Sequence, residues 1–255
     1  MPSVKAILNI SAYLFVPLTD TLALRESIRS QAAGLALKGT VLLAEEGINL
    51  FLAGEPSKLH AFVAWLQEDA RFAALTPKES WSDSVPFGKL LVKVKREIIR
   101  MNHPTVRPEA GRAPAVDAKT LSRWLDAGHD DDGRPVVTLD TRNSFEIGHG
   151  RFHNAIDWHI DKFSEFPAQV LAHQDELRGK RVVSYCTGGI RCEKAAIYMA
   201  EAGIEHVVQL DGGILKYFEE VGGQHFDGDC FVFDEREALD ASLRPQELSI
   251  SSTSD

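Results

Sequence analysis

The stretch Val182-Val-Ser-Tyr-Cys-Thr-Gly-Gly-Ile-Arg-Cys192 decides how this chain is read. Val182 to Tyr185 is a short apolar run of strand formers, and Cys186 ends it. Gly188, Gly189 and Arg191 follow in a tight loop, and a helical pattern then begins with Glu193, Lys194, Ala195, Ala196 and Ile197. In a strand–loop–helix turn, backbone N–H groups converge on one point and favour an anion there. A thiol held at that point loses its proton more easily, because those dipoles and a neighbouring arginine stabilise the thiolate. The alternative is an inert buried cysteine ending a core strand. Gly188, Gly189 and Arg191 count against it, since packing alone needs no permissive, cationic loop.

On both sides of this stretch, strand and helix alternate. Ala118 to Ala127 has helical spacing, Val136 to Leu139 is a strand ending in Asp140, and residues 141–178 read as a loop with helical turns. A helix over 192–203 closed by Gly203, a strand Val207 to Leu210, then Asp211-Gly-Gly213 and a helix through Glu219 complete the pattern. It predicts an open parallel α/β sheet whose functional groups sit at strand C-terminal ends, where Asp140, Cys186 and Asp211 all fall.

The first hundred residues have a different order. Ala6 to Val16 is strand-like, Leu22 to Leu37 helical with Thr19 or Asp20 as cap, and Gly39 to Ala44 with Ile48 to Ala53 a hairpin around Glu45-Glu46-Gly47. Ser57 to Phe72 is helical, opened by Pro56, and Lys89 to Met101 is the final strand. The order β-α-β-β-α-β predicts a ferredoxin-like (acylphosphatase-like) α+β domain over 1–101. Three prolines and a glycine make 102–115 a linker. The α/β domain spans 116–225, and 226–255 holds a C-terminal strand segment and a tail expected to be disordered from Pro245.

Composition bounds the function. Of the 255 residues 44% are hydrophobic and 25% charged, as in a soluble globular protein. No apolar stretch approaches the ~20 residues that span a bilayer, and no signal peptide is read at the N-terminus. Three cysteines fit a reducing compartment, so a cytoplasmic location is expected. The net charge is −9, but residues 1–100 hold 12 basic against 10 acidic residues, a charge of +2, while 101–255 hold 16 against 27, a charge of −11. A polyanion would be received mainly by the first part.

Leu-Asp140-Thr-Arg142 with Phe145-Glu146, then Cys186-Thr-Gly-Gly-Ile-Arg191, then Leu210-Asp-Gly-Gly-Ile214 resemble the rhodanese domain in order and spacing. Together with Lys38-Gly-Thr-Val-Leu-Leu-Ala-Glu-Glu-Gly-Ile-Asn49, Pro86-Phe-Gly-Lys-Leu-Leu-Val-Lys-Val-Lys-Arg-Glu97 and Cys230-Phe-Val-Phe-Asp234, the chain resembles the oxygen-dependent tRNA uridine-34 hydroxylases over about residues 4–238. The resemblance implies a ferredoxin-like domain followed by a rhodanese-like open parallel α/β domain, and conversion of the wobble uridine to 5-hydroxyuridine. It further implies molecular oxygen as co-substrate, the tRNA anticodon stem-loop as partner, and Cys186 as a catalytic residue carrying a persulfide. No recognisable cofactor motif is present. One departure is Gly150-Arg-Phe-His-Asn-Ala155, where Asn154 replaces the turn glycine usual in rhodaneses; Asn tolerates left-handed backbone better than most residues.

Thr187, Gly188, Gly189, Ile190 and Arg191 form the expected cradle for the sulfur anion, Arg191 either facing the anion or tying the loop to a carboxylate. Family comparison makes Cys-x4-Arg a loop for a sulfur-sized ligand, since related phosphatases need one more residue. Cys192 is a resolving thiol or, as the default, a buried small residue, and Cys230 is core. Asp140 and Arg142 orient substrate or, the preferred reading, form a structural ion pair. Glu45, Glu46 and Asn49 are a solvated turn or contact the site across the domain interface. Lys89, Lys93, Lys95, Arg96 and Arg100 are the candidate RNA-binding cations, with Trp81 and Phe87 as candidate stacking platforms. His149, His153 and His159 are read as solvated or core histidines, with no metal site. Two other functions remain open: rhodanese-type sulfur transfer through Cys186, and a non-catalytic RNA-binding or docking module.

Overall fold

The structure, a computed structural model, describes residues 6–245. The serine-rich tail therefore lies, apart from Pro245, outside the described residues. The N-terminal half contains β1 (Ile7–Phe15), α1 (Thr21–Gly34), β2 (Lys38–Ala44), β3 (Gly47–Gly54), α2 (Pro56–Gln67), β4 (Lys78–Ser82) and β5 (Leu90–Val94). They form one sheet in the order β4-β1-β3-β2-β5. The first four strands give the split βαβ arrangement that the sequence predicts. One assignment is corrected: its closing strand is β4, not Lys89 to Met101. Lys-Glu-Ser-Trp-Ser has no apolar period to announce a strand, because β4 is an edge strand paired only with β1. Leu90–Val94 instead adds a fifth strand, parallel to β2.

Helices α1 and α2 cover one face of this sheet. Ile28 and Ala32 from α1 and Leu59, Phe62 and Leu66 from α2 pack on Leu8, Ile10, Val41, Leu43, Leu50 and Leu52. Strand alternation sends the intervening residues to the other face. Register aligns Ser11 with Phe51, Tyr13 with Asn49, Asn49 with Leu42 and Leu42 with Lys93 across that face. It carries no helices, and it looks onto the second half of the molecule.

The second half contains β6 (Ala115–Val116), α3 (Ala118–Ala127), β7 (Val136–Asp140), α4 (Ser144–Ile147), β8 (Gly150–Phe152), α5 (Phe166–Ala172), α6 (Gln174–Leu177), β9 (Arg181–Tyr185), α7 (Ile190–Glu201), β10 (Val207–Leu210) and α8 (Gly213–Val221). Short strands β11 (Phe226–Gly228), β12 (Cys230–Phe231) and β13 (Ala238–Leu239) follow. The central sheet has order β6-β10-β9-β7 and is parallel throughout. Leu121, Trp124, Ile214 and Tyr217 of α3 and α8 close one face, and Val170, Ala195 and Met199 of α5 and α7 the other. This is the expected three-layer α/β domain. Asn154 adopts φ +55°, the left-handed turn in which Asn substitutes for glycine. Among the described residues no helix is long and apolar enough to cross a membrane.

The segment between the halves is docked rather than free. Met101 and Val106 are buried in the second core, and Arg112 pairs with Glu193 at 2.8 Å and Asp211 at 2.6 Å. Lys194, on α7, is almost fully buried and reaches Glu46 at 2.8 Å, Glu97 at 2.6 Å and the Ile99 carbonyl at 3.0 Å. Tyr13 donates to Glu193 at 3.2 Å. Buried, mutually hydrogen-bonded charges of this kind fix one geometry, since displacing either partner strands the other. The halves are held with the bare sheet face of the first over the strand ends of the second.

Candidate active site

Cys186 is the first residue after β9, fully buried at the C-terminal end of the parallel sheet. The chain turns there through Gly189, whose φ of +96° is left-handed, and enters α7 at Ile190. That turn aims the Gly189 N–H at the Cys186 sulfur, 3.1 Å away. Gly188 is different: a Cβ there would meet only open space, so the geometry demands glycine at 189 and not at 188. Beneath the loop, Ile214 N–H donates to the Cys186 carbonyl at 2.9 Å and Leu215 N–H to that of Thr187 at 3.1 Å. Gly213, at φ +69°, makes this approach possible, because a Cβ there would come within 2.4 Å of the Cys186 oxygen. The Leu210–Ile214 motif thus supports the loop from below.

Burial works against ionising the Cys186 thiol. The Cys192 S–H, the Arg191 guanidinium and the backbone N–H groups of Arg191 and Gly189 outweigh it and bring the thiol down to about 5. The loop thus favours the thiolate over the thiol at a helix N-terminus. Cys192 moves the other way: burial and the adjacent Cys186 charge hold it well above the usual thiol range. Cys192 is fully buried in the first turn of α7, 3.7 Å from the Thr141 hydroxyl. It stands beside Cys186 as the proton-bearing member of the pair. Cys230 is core as expected, its thiol pushed by burial up to about 12.

Arg191 does tie the loop to a carboxylate. It grips Glu146 with two parallel bonds of 2.5 and 2.6 Å, both side chains buried. Its charge still faces Cys186, so one side chain serves both readings. Asp140 and Arg142 form the structural ion pair of the preferred reading: bonds of 2.9 and 2.6 Å, no exposure on either side chain, and Arg142 also donating to the Gly150 carbonyl at 2.7 Å. Neither lines the space above Cys186. His153 lies against Asp227 at 3.0 Å and His159 against Asp157 at 3.1 Å.

Above Cys186 lies a cleft of about 400 Å³. Its floor is Cys186, Thr187, Gly188, Ile190 and Arg191, and its roof is the bare sheet face of the first half, with Ser11, Tyr13, Leu42, Asn49 and Phe51. Phe163 and Phe233 close the sides, and Arg100 and Lys162 stand exposed at the rim. The volume lies within the ~300–1,000 Å³ usual for small-molecule sites. Of the hairpin residues, Asn49 lines the cleft and Glu46 joins the Lys194 clamp, whereas Glu45 is exposed.

All of Lys89, Lys93, Lys95, Arg96 and Arg100 are exposed. Arg100 alone among them lines the cleft. Lys93 continues the same sheet face outward, in register with Leu42. Trp81 is a correction: in register with core residue Leu8, it projects to the helix side of the sheet, away from Cys186. Phe87 does not reach the cleft either. The aromatic rings at the site are Tyr13, Phe51, Phe163 and Phe233, which sequence spacing gives no reason to group.

Nothing in the sequence singles out Lys78. It opens β4 opposite Ser11, lines the cleft with Cys186, and holds its ammonium 5.4 Å from the centre of the Tyr13 ring. Burial lowers it from the usual lysine value, against the opposing pull of the Cys186 and Asp211 charges.

Comparison with known proteins agrees with this architecture. Residues 7–98 match the family described as UPF0176 acylphosphatase like domain, and residues 117–220 match the Rhodanese-like domain. A Delftia acidovorans protein named tRNA uridine(34) hydroxylase is 65% identical over 237 residues, covering 93% of this chain and 90% of its own. Proteins of the same name from Bordetella avium and Variovorax paradoxus are 64% and 61% identical, over 94% and 98% of this chain and 99% and 96% of theirs. The rhodanese-type loop, the acylphosphatase-like roof above it and this identity along nearly the whole length make the chain an enzyme of the tRNA uridine(34) hydroxylase family.

Proposed function

We propose that this enzyme hydroxylates uridine 34 of tRNA to 5-hydroxyuridine, with molecular oxygen as co-substrate and the Cys186 sulfur, as thiolate or persulfide, as the reacting atom. The observation that carries the reading is a sulfur held by the Gly189 N–H beside Arg191, at the bottom of a cleft large enough for a nucleotide, with aromatic walls and a cationic rim. A base inside a stem-loop reaches such a site only when flipped out, and aromatic side chains then take over its stacking. Phe51, Phe163 and Phe233 suit that role, with Arg100 and Lys162 at the rim facing the flanking phosphates.

Inserting one atom of O2 into the C5–H bond and releasing the other as water requires two further electrons and two protons. A thiolate and a thiol that end as a disulfide supply the two electrons and one proton, and solvent water supplies the second proton. Cys192, adjacent to Cys186 and carrying its proton, stands where the second thiol is needed. The free thiols and a tRNA substrate fit a cytoplasmic setting.

The direct test is mass spectrometry of tRNA nucleosides from cells lacking the gene, with and without the wild-type gene restored. Restored 5-hydroxyuridine-type modification is expected. Unchanged tRNA together with lost thiosulfate:cyanide turnover would instead indicate sulfur transfer. The RNA-binding surface has its own test. The double substitution Lys93→Glu, Lys95→Glu is expected to weaken tRNA binding and to flatten its dependence on log salt by roughly one unit for each phosphate no longer neutralised. Unaltered affinity and slope would remove β5 from the RNA surface.

A further inference from the structure

Lys78 lines the Cys186 cleft half-buried, whereas Lys162 stands exposed at its rim, and the Lys78 ammonium makes no hydrogen bond or ion pair among the described residues. The neighbouring cations each have a carboxylate partner: Arg112 has Glu193 and Asp211, Lys216 has Glu219 and Glu220, and Arg191 has Glu146. Lys78 has only the face of the Tyr13 ring, which the Glu193 hydrogen bond holds in place, and a close backbone at Gly212. A half-buried ammonium held on an aromatic face in a cleft, with no protein oxygen beside it, is a place where a ligand can supply one.

We propose that Lys78 is a substrate-contacting, specificity-determining residue that donates a hydrogen bond to O4 of the uracil at position 34. This rests on the function proposed above. If the C5–C6 edge of the base faces the Cys186 sulfur, the atoms within reach of Lys78 are those on the same side of the ring. O4, on C4 beside C5, is the base acceptor next to that edge; O2 lies across the ring, and the ribose hangs from N1 beside C6, at the opposite end of the edge. In cytosine the same place is occupied by an amino group, which is a donor and meets an ammonium unfavourably. Lys78 therefore separates uracil from cytosine by one polar contact, the kind of difference that gives large discrimination because a mismatch leaves a desolvated donor unpaired.

The test compares wild type, Lys78→Met and Lys78→Arg on anticodon stem-loops carrying uridine, cytidine or an abasic site at position 34. Wild type is expected to bind the uridine stem-loop in preference to the cytidine one. Lys78→Met is expected to lose that preference and roughly ten- to a hundredfold in kcat/KM, the span of a hydrogen bond to a charged donor. Lys78→Arg, which keeps a donor, recovers part of both. Binding of the abasic stem-loop is expected to be the same in wild type and Lys78→Met. Three results overturn the proposal. They are Lys78→Met activity within twofold of wild type, an unchanged preference for uridine, or weakened binding of the abasic stem-loop, which assigns the lysine to a phosphate. A wild-type protein that forms no 5-hydroxyuridine at all would overturn the functional reading itself, and the proposal with it.

Discussion

Cys186→Ala is expected to reduce uridine-34 hydroxylation by at least about a thousandfold, the scale on which removal of a reacting group from a preorganised site is felt. The fold should survive, because the side chain sits on the floor of a cleft and the main-chain bond from Ile214 to the Cys186 carbonyl does not depend on sulfur. Cys186→Ser sharpens the prediction. Serine is nearly isosteric and accepts the same Gly189 N–H, but its hydroxyl does not ionise under conditions that bring the thiol down to about 5. Both variants should therefore be inactive with near-native melting temperatures. A Cys186→Ser protein retaining a tenth of wild-type activity would show that the cradle does not act through an anion.

Glu146→Gln is expected to be the most damaging single substitution to stability near the site. Both Glu146 oxygens are used by Arg191 and neither side chain is exposed, so the substitution removes the one carboxylate paired, among the described residues, with a buried guanidinium and leaves it only the Cys186 sulfur. Removing one partner of such a pair costs about 3–5 kcal/mol. In a chain of this length that corresponds to roughly 6–20 °C in melting temperature. The double variant Glu146→Gln, Arg191→Met removes the stranded charge as well and should be more stable than Glu146→Gln alone. Circular-dichroism melting of the three proteins decides the matter. A Glu146→Gln protein that melts with wild type would mean that the pair is not closed in solution.

The two folds are legible because their signals are local. Alternation of apolar runs and helical spacing announces the parallel sheet, and the strand–glycine–helix passage around Cys186 locates the anion site to the residue. What escapes is whatever depends on the meeting of the two halves. Lys78 sits in a polar five-residue edge strand with no period, so neither the strand nor its orientation toward Cys186 has a signature. Tyr13 and Phe51 share the bare sheet face, and they meet Phe163 and Phe233 only when that face closes over the loop. Trp81 is misplaced for the same reason, since a strand not recognised as such cannot have its faces assigned. Glu46, Glu97, Glu193 and Lys194 stand inside or beside the stretches that carry the family resemblance, yet their role is to clamp the halves together. Charge spacing along the chain cannot reveal a bond across 148 residues.

The central claim is that the sulfur of Cys186 is an anion at neutral pH because main-chain N–H groups, Arg191 and Cys192 hold it so. Its most direct measurement is the pH dependence of Cys186 alkylation by iodoacetamide, followed by peptide mass spectrometry in the intact protein. The predicted profile has its midpoint near 5 and a plateau from neutral pH upward. A midpoint at the free-thiol value of about 8.5 would contradict the account.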